Sequence, residues 1–341
     1  MYLKRKIVVL FSAALIAVVP GPGAVKKHHA GKEPAVESTE AKPGILWREP
    51  TDIASRNLFY GAGGEKDAPH TTYKFVKEDL EGSNPKFTVE DENGVKWKVK
   101  LGEEARPEVA ASRFVWAVGY FTNEDYFVKD LRVENMPTLH RGRKFVAADG
   151  SFPNVRLKRE LKHEKKIGTW KWSDDPFYGS RQYNGLRVMM ALINNWDLKD
   201  ENNAIYEEKD QPERLFMISD LGSSFGTSGP DWPHAKAKGN LRSYEHSKFI
   251  ARTKPEFVDF AEPSRPSYHW FLNPPEYFRR RGLMWIGRDI PRTDAKWMGN
   301  LLGQLSPDQI RDAFRAAGFK PNEVEGFAAV VQNRIAALKA L

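Results

Sequence analysis

The chain has 341 residues, with 53 Lys and Arg against 45 Asp and Glu, a formal net charge of +8, and no cysteine. Without cysteine there is no disulfide framework, no zinc–cysteine site and no catalytic thiol. Hydrophobic residues at 40% and aromatics at 12% can fill one or two cores, which excludes a mainly disordered chain.

The amino terminus carries Lys4-Arg5-Lys6, an apolar run from Ile7 to Val19, then Pro20-Gly21-Pro22-Gly23-Ala24. A basic stretch, a short apolar stretch and a small-residue exit predict a secretory signal peptide over residues 1–24. The run falls short of the roughly 20 apolar residues of a membrane span. No span is therefore expected in the mature chain, an uncleaved anchor being the alternative, and the remainder is expected to be exported, to the periplasm or beyond. Loss of those three basic residues leaves 50 against 45, a net charge of +5. Interleaved charge of that size carries no nucleic-acid signature, so no nucleic-acid partner is expected. Residues 25–47 are rich in Lys, Glu, Ala and Pro and read as a flexible linker. His28-His29 within it lack further ligands at metal-site spacing.

Tyr73 to Glu78, Lys86 to Glu90 and Val95 to Leu101 alternate apolar with polar residues, predicting three short strands. Gly82-Ser83-Asn84-Pro85 and Glu92-Asn93-Gly94 supply the turns between them. Pro107 suits the first turn of a helix that stops at Gly119. Phe127 to Val133 reads as a strand, and Phe145 to Leu157 as an irregular hairpin about Asp149-Gly150. Ser180 suits the N-cap of a helix with apolar positions Leu186, Met189, Met190, Leu192, Ile193 and Trp196. Ile205-Tyr206 and Leu215 to Ile218 form a hairpin, and residues 222–246 a long loop. Ser306 begins a helix that stops at Gly318. Asn322 with Glu325 marks a final helix striped by Val324, Phe327, Val330, Val331, Ile335 and Leu338. Strands first and helices later predict an α+β chain.

The sharpest feature is Asn195-Trp196-Asp197-Leu198-Lys199-Asp200-Glu201-Asn202, followed by Ser219-Asp220-Leu221-Gly222. Phosphoryl transfer needs a carboxylate to orient the attacking hydroxyl, a cation to meet the moving phosphoryl group, and an amide oxygen and second carboxylate for Mg²⁺. Asp197, Lys199, Asn202 and Asp220 supply those types in that order. A surface Asx-rich turn would use similar residues. A calcium loop would need a Gly and a closing Glu that do not follow.

These residues resemble the protein-kinase-like superfamily, nearest to its atypical members: HipA-type, phosphoinositide-kinase-like and secretory-pathway kinases. Asp197 through Asn202 is similar to the catalytic loop, and Asp220-Leu221-Gly222 to the metal-binding Asp-Phe-Gly. Lys100 sits where the family's third-strand lysine pairs nucleotide phosphates, and Glu108 where the helix glutamate holds that lysine. Lys98 and Glu104 are their rivals. Gly82, Ser83, Asn84 and Lys86, with Pro85 between, resemble a short phosphate loop. The resemblance covers about residues 73–226 and implies a two-lobed fold: a small antiparallel-sheet lobe with one helix over 48–160, and a mostly helical lobe over 161–341. It further implies ATP with Mg²⁺ or Mn²⁺ and a hydroxyl-bearing acceptor, whether protein, lipid or sugar. The wider chain is also similar to exported bacterial proteins. The usual His-Arg ahead of the catalytic Asp is Asn195-Trp196, and no Ala-Pro-Glu follows Asp220, which puts a standard protein substrate in doubt. A nucleotide-binding pseudokinase or binding module, an adenylyl transferase on the same fold, and an exported basic protein binding anionic glycans or nucleic acid are the competing readings.

Other features carry blander readings. Gly61-Ala62-Gly63-Gly64 lacks the Lys-Ser/Thr of a phosphate-cradling loop and reads as a turn. Arg279-Arg280-Arg281 reads as a solvated charge run. Trp170, Trp172 and Tyr178 read as core or lobe-interface packing.

Overall fold

The computed structural model describes residues 42–82, 84–195, 197–227, 238–261 and 269–341. The expected signal peptide, His28-His29, Ser83 and Trp196 lie outside the described residues. The linker does not run to Trp47. Gly44–Ile45 already form β1, and Leu46 is buried.

The first lobe is a five-stranded antiparallel sheet with one helix. Its strands are β2 (Tyr73–Asp79), β3 (Lys86–Asp91), β4 (Lys96–Lys100), β5 (Asp125–Leu131) and β6 (Phe152–Arg159), in the order β2-β3-β4-β6-β5. Alternation sets the register. Phe87 faces Val99 and Val89 faces Trp97 across β3 and β4, all four buried, while Lys96 and Lys98 stay exposed. Asp91 closes the hairpin: its carboxylate accepts the Asn93 and Val95 backbone N–H groups and the Trp97 indole N–H, each at 2.9 Å.

Helix α1 (Ala105–Ala117) starts two residues ahead of Pro107, because the Glu104 carbonyl already accepts the Glu108 N–H. Strand β5 begins two residues before the expected Phe127, since Asp125 turns inward to a buried cation. The expected hairpin over 145–157 is instead a single strand, β6, paired with β5 on one side and β4 on the other. Arg143–Phe145 form only a short 3₁₀ turn.

The second lobe opens with β7 (Glu164–Gly168), which has no apolar alternation because it is a sheet edge paired only with β8. Helix α2 (Arg181–Leu192) is capped by Ser180, whose hydroxyl accepts the Tyr183 N–H. The hairpin of β8 (Asn203–Glu208) and β9 (Arg214–Ile218) follows, with β1 added in parallel beside β9. The loop expected over 222–246 contains α3 (Leu241–His246), begun by Asn240 accepting the Ser243 N–H at 3.0 Å.

Beyond it lie β10 (Ile250–Thr253), β11 (Phe257–Phe260), α4 (His269–Leu272), α5 (Pro274–Leu283), β12 (Ile290–Pro291) and α6 (Arg292–Leu302). Helices α7 (Pro307–Ala316) and α8 (Pro321–Lys339) close the chain. Ser306 and Gln309 cap α7 reciprocally. The start expected from Asn322 and Glu325 falls instead at Lys320, whose backbone N–H donates to the Glu323 carboxylate at 2.9 Å, while Glu325 pairs with Arg311.

The sheet buries its own cluster around Phe87, Trp97, Val99 and Leu157. A larger cluster joins Phe114 of α1 to Phe225, Phe314 and Phe327. Helix α1 lies against β5 and β6 and against α7, so it ties the sheet to the helical lobe. The architecture is therefore α+β and two-lobed, with one helix between the third and fourth strands of the small sheet. Among the described residues no helix is long and apolar enough to cross a membrane.

Candidate active site between sheet and helical lobe

Lys100 ends β4 and turns under α1, where it is 3% exposed. Its Nζ lies 2.8 Å from Glu108 Oε2, 2.9 Å from Glu104 Oε2 and 3.1 Å from Asp220 Oδ1. The rivalries of the sequence resolve differently. Lys98 is half exposed and pairs with Glu160 at the surface, whereas Glu104 and Glu108 both hold Lys100.

Glu108 is shared. Arg156, opposite Lys100 in the β4–β6 register, reaches both Glu108 carboxylate oxygens at 3.2–3.3 Å and lies 3.5 Å from Asp125. Sequence reasoning missed Arg156. Its signal was a cation between Val155 and Leu157, both buried, at the position facing the lysine.

Electrostatics follow from burial and pairing. Burial pushes the Lys100 ammonium down, but Glu108, Asp220 and Glu104 outweigh it and hold the group above the ordinary lysine range. Burial also pushes the Asp220 carboxyl up. Lys100 and the Gly222 N–H reverse that and hold it at about 2. Glu104 is likewise pushed up by burial and pulled below its ordinary value by Lys100 and Lys238. Complete burial is the largest influence on Glu108 and raises its carboxyl, against the pull of Arg156 and Lys100.

The Asp197 loop is built on asparagines. Asn194 takes the left-handed conformation, φ 54°, just after α2, and the Asn195 side chain accepts the Asp197 N–H at 3.0 Å. Lys199 Nζ lies 3.0 Å from Asp197 Oδ2. Asn202 Nδ2 donates to the Asp197 carbonyl at 2.7 Å, which turns its Oδ1 away from that bond. The Asn202 carbonyl accepts the backbone N–H groups of Ser219 and Asp220 at 2.8 and 3.3 Å. Asn202 therefore joins the Asp197 loop to the Asp220 turn. Gly222 is required in that turn, because a Cβ there would lie 2.7 Å from Glu104 Cβ.

The turn at 82–86 is only partly in contact with this cluster. Asn84 Nδ2 donates to Glu104 Oε2 at 2.5 Å. The Gly82 carbonyl accepts instead from Arg141, and Lys86 lies nearest Asp79, at 3.9 Å.

The arginine run is not uniformly solvated. Arg281 is exposed, but Arg280 is 11% exposed and lies 3.6 Å from Asp197 Oδ1. Its neighbour Glu276 aligns it from one turn back on α5. Trp170 and Trp172 are core, and Tyr178 is exposed. The glycine turn at 61–64 is packed rather than open, with Gly61 against the Arg113 guanidinium.

Among the described residues no group of three or more His, Cys, Asp or Glu side chains is placed to hold a metal ion. Asp220 and Asn202 offer one carboxylate and one amide oxygen. That set fits a hard cation that keeps waters and shares a substrate's phosphates, as Mg²⁺ does, and does not fit a closed protein cage.

No protein-family model and no curated protein matches the sequence. Among solved structures, the chain is similar to the proinflammatory kinase CtkA of Helicobacter pylori, at 11% identity and a TM-score of 0.47, over 80% of this chain and 98% of that one. It is also similar to the Golgi casein kinase, at 10% identity and a TM-score of 0.37, over 81% of this chain and 72% of that one. A second structure of that kinase, with Mn and ADP bound, gives 11% identity and a TM-score of 0.38, over 81% of this chain and 73% of that one.

Proposed function

We propose that this chain is an exported ATP- and Mg²⁺-dependent phosphotransferase acting on a hydroxyl acceptor. One observation carries the reading: Lys100, Glu108 and Asp220 converge in a buried ion cluster whose Asp220 turn is hydrogen-bonded to the Asn202 of the Asp197 loop. Residues far apart in sequence are thereby linked in one network of ion pairs and hydrogen bonds.

In this reading Lys100, oriented by Glu108, holds nucleotide phosphates. Asp220 and Asn202 hold the cation, which when bound neutralises charge on the phosphates. Asp197 orients the acceptor hydroxyl and takes its proton, and Lys199 meets negative charge on the transferred group. Asn195 and Asn202 fix the Asp197 backbone on both sides, so the carboxylate is preset rather than recruited.

The test is nucleotide binding and turnover with purified protein. Asp220→Asn is expected to abolish Mg²⁺-dependent nucleotide binding by calorimetry. Asp197→Asn is expected to keep binding and to lower transfer by about 10²–10⁴-fold, the usual contribution of a general base. Intact protein that binds no Mg²⁺–nucleotide sinks the reading.

A pseudokinase has one observation in its favour. Both Asp197 carboxylate oxygens already face cations, Lys199 at 3.0 Å and Arg280 at 3.6 Å. Binding without turnover on a broad acceptor panel would select it, and the mass of any product separates phosphoryl from adenylyl transfer.

A further inference from the structure

Glu104 is where the donors of the site meet. Asn84 Nδ2 at 2.5 Å and Lys100 Nζ at 2.9 Å reach Oε2, and Lys238 Nζ at 2.5 Å reaches Oε1. The three come from separate stretches: the turn ahead of β3, the end of β4 and the segment ahead of α3. Glu104 is buried, and Gly222 leaves room for it, since a Cβ there would lie 2.7 Å from Glu104 Cβ. Lys238 is 25% exposed along its side chain. It also lines a cleft of about 440 Å³ with Gly102, Arg106 and Asn240. Of the cluster, Lys238 is the member that faces this cleft.

Two ammonium groups and an amide N–H₂ converging on one carboxylate are the partners a phosphate oxygen set would take. Lys100 does not need Glu104 for neutrality, because Glu108 and Asp220 also bind it. We propose that Asn84, Lys100 and Lys238 form a seat for a phosphate of the bound nucleotide, and that Glu104 fills this seat as a built-in competitor until a polyphosphate displaces it. The inference rests on the nucleotide reading above. It adds Lys238 as a phosphate-contacting residue and gives Glu104 a role opposite to that of Glu108.

Displacement is compatible with the fold. Glu104 flanks α1 rather than lying within it, and its structural bond to the helix, the Glu108 N–H, goes to the main-chain carbonyl. The side chain can leave its donors without breaking a helical turn. A bound phosphate and an ionised Glu104 could not share the seat, since like charges side by side are strongly disfavoured.

The experiment is calorimetric titration of the full chain with Mg²⁺–ADP, a non-hydrolysable Mg²⁺–ATP analogue and inorganic tripolyphosphate, on the wild type, Glu104→Gln and Lys238→Met. Thermal melts run alongside. Glu104→Gln keeps shape and removes charge, so it is expected to bind tripolyphosphate and the ATP analogue about ten-fold tighter. Lys238→Met is expected to bind them about ten-fold weaker. If the wild type binds nucleotide but Glu104→Gln binds no tighter, Glu104 is a clamp and the proposal is wrong. An unchanged affinity in Lys238→Met removes Lys238 from the seat. Should Glu104→Gln fail to fold, Lys238→Gln opens the same pair from its other side, and weaker tripolyphosphate binding is again required. Wild type and Glu104→Gln both failing to bind any of the three ligands instead overturns the nucleotide reading itself.

Discussion

Lys100 and Arg156 stand side by side in the register of β4 and β6, and the structure ranks what each contributes to stability. Consider Lys100→Met. Its three carboxylates are not stranded: Glu108 keeps Arg156, Glu104 keeps Lys238, and Asp220 is 37% exposed and can turn to water. Now consider Arg156→Met. Asp125 is 1% exposed, its nearest cation is that guanidinium, and its Oδ1 already lacks a hydrogen-bond partner. Breaking a buried ion pair costs about 3–5 kcal/mol, the larger figure applying where a charge is left alone. Arg156→Met should therefore cost about 5 kcal/mol and Lys100→Met about 3. At roughly 2–4 °C per kcal/mol these are losses of about 10–20 °C and 6–12 °C in Tm. Circular-dichroism melts at neutral pH give the ranking directly, and calorimetry gives the second half of the prediction: Lys100→Met, the milder lesion, should be the one that eliminates nucleotide binding. A Lys100→Met protein that melts below Arg156→Met would refute the assignment of Arg156 as the structural cation and Lys100 as the functional one.

Other outcomes follow from the same geometry. Lys98→Met should change stability by less than about 0.5 kcal/mol and leave nucleotide binding unaltered, because Lys98 is solvated. Gly61→Ala should cost about 2–4 kcal/mol in urea unfolding, since φ is +73° and its Cβ would sit 2.0 Å from Arg113 Nη1, which is buried. The Lys100–Asp220 pair gives a pH signature. Asp220 is held at about 2, so its contribution is present above roughly pH 4 and is lost as pH falls toward 2. The Tm gap between wild type and Asp220→Asn should thus narrow from pH 6 to pH 3, and a constant gap would remove the pair as its cause.

The fold was legible where the chain obeys a short period. Val95 to Leu101 alternates, and the strand is there. Ser180 and Ser306 precede apolar helical stripes, and both cap helices. It was illegible where pairing is long-range. Strand β6 lies between β4 and β5, so its partners come from distant sequence, and no local turn around Asp149 announces them. Strand β7 reads Glu-Lys-Lys-Ile-Gly and carries no buried face to pattern. Strands β10, β11 and β12 and helix α4 have two to four residues each, below the length at which periodicity speaks.

For the site, the sequence named the residues that a spacing motif contains and missed those that only the fold brings in. Asp197, Lys199, Asn202 and Asp220 lie on two short loops, and Lys100 and Glu108 on successive elements, so their order alone suggested one surface. Arg156, Lys238 and Arg280 share no motif with them. Each is a cation from a different element, and each pairs with a carboxylate of the site: Glu108, Glu104 and Asp197. The reason is physical. A buried carboxylate requires a counter-charge, but not from any fixed offset in the chain. Which residue supplies it depends on where a helix or strand end happens to pass. In the proposed function, Arg280 lies beside the carboxylate that would take the acceptor's proton. Truncation to Arg280→Ala should loosen Asp197 without unfolding α5, whose Glu276 keeps Arg279. If Asp197 is the base, the transfer rate should then change while Mg²⁺–nucleotide binding stays as in the wild type, because Arg280 contacts the carboxylate that orients the acceptor and not the Lys100 cluster. An unchanged transfer rate would separate Arg280 from the chemistry.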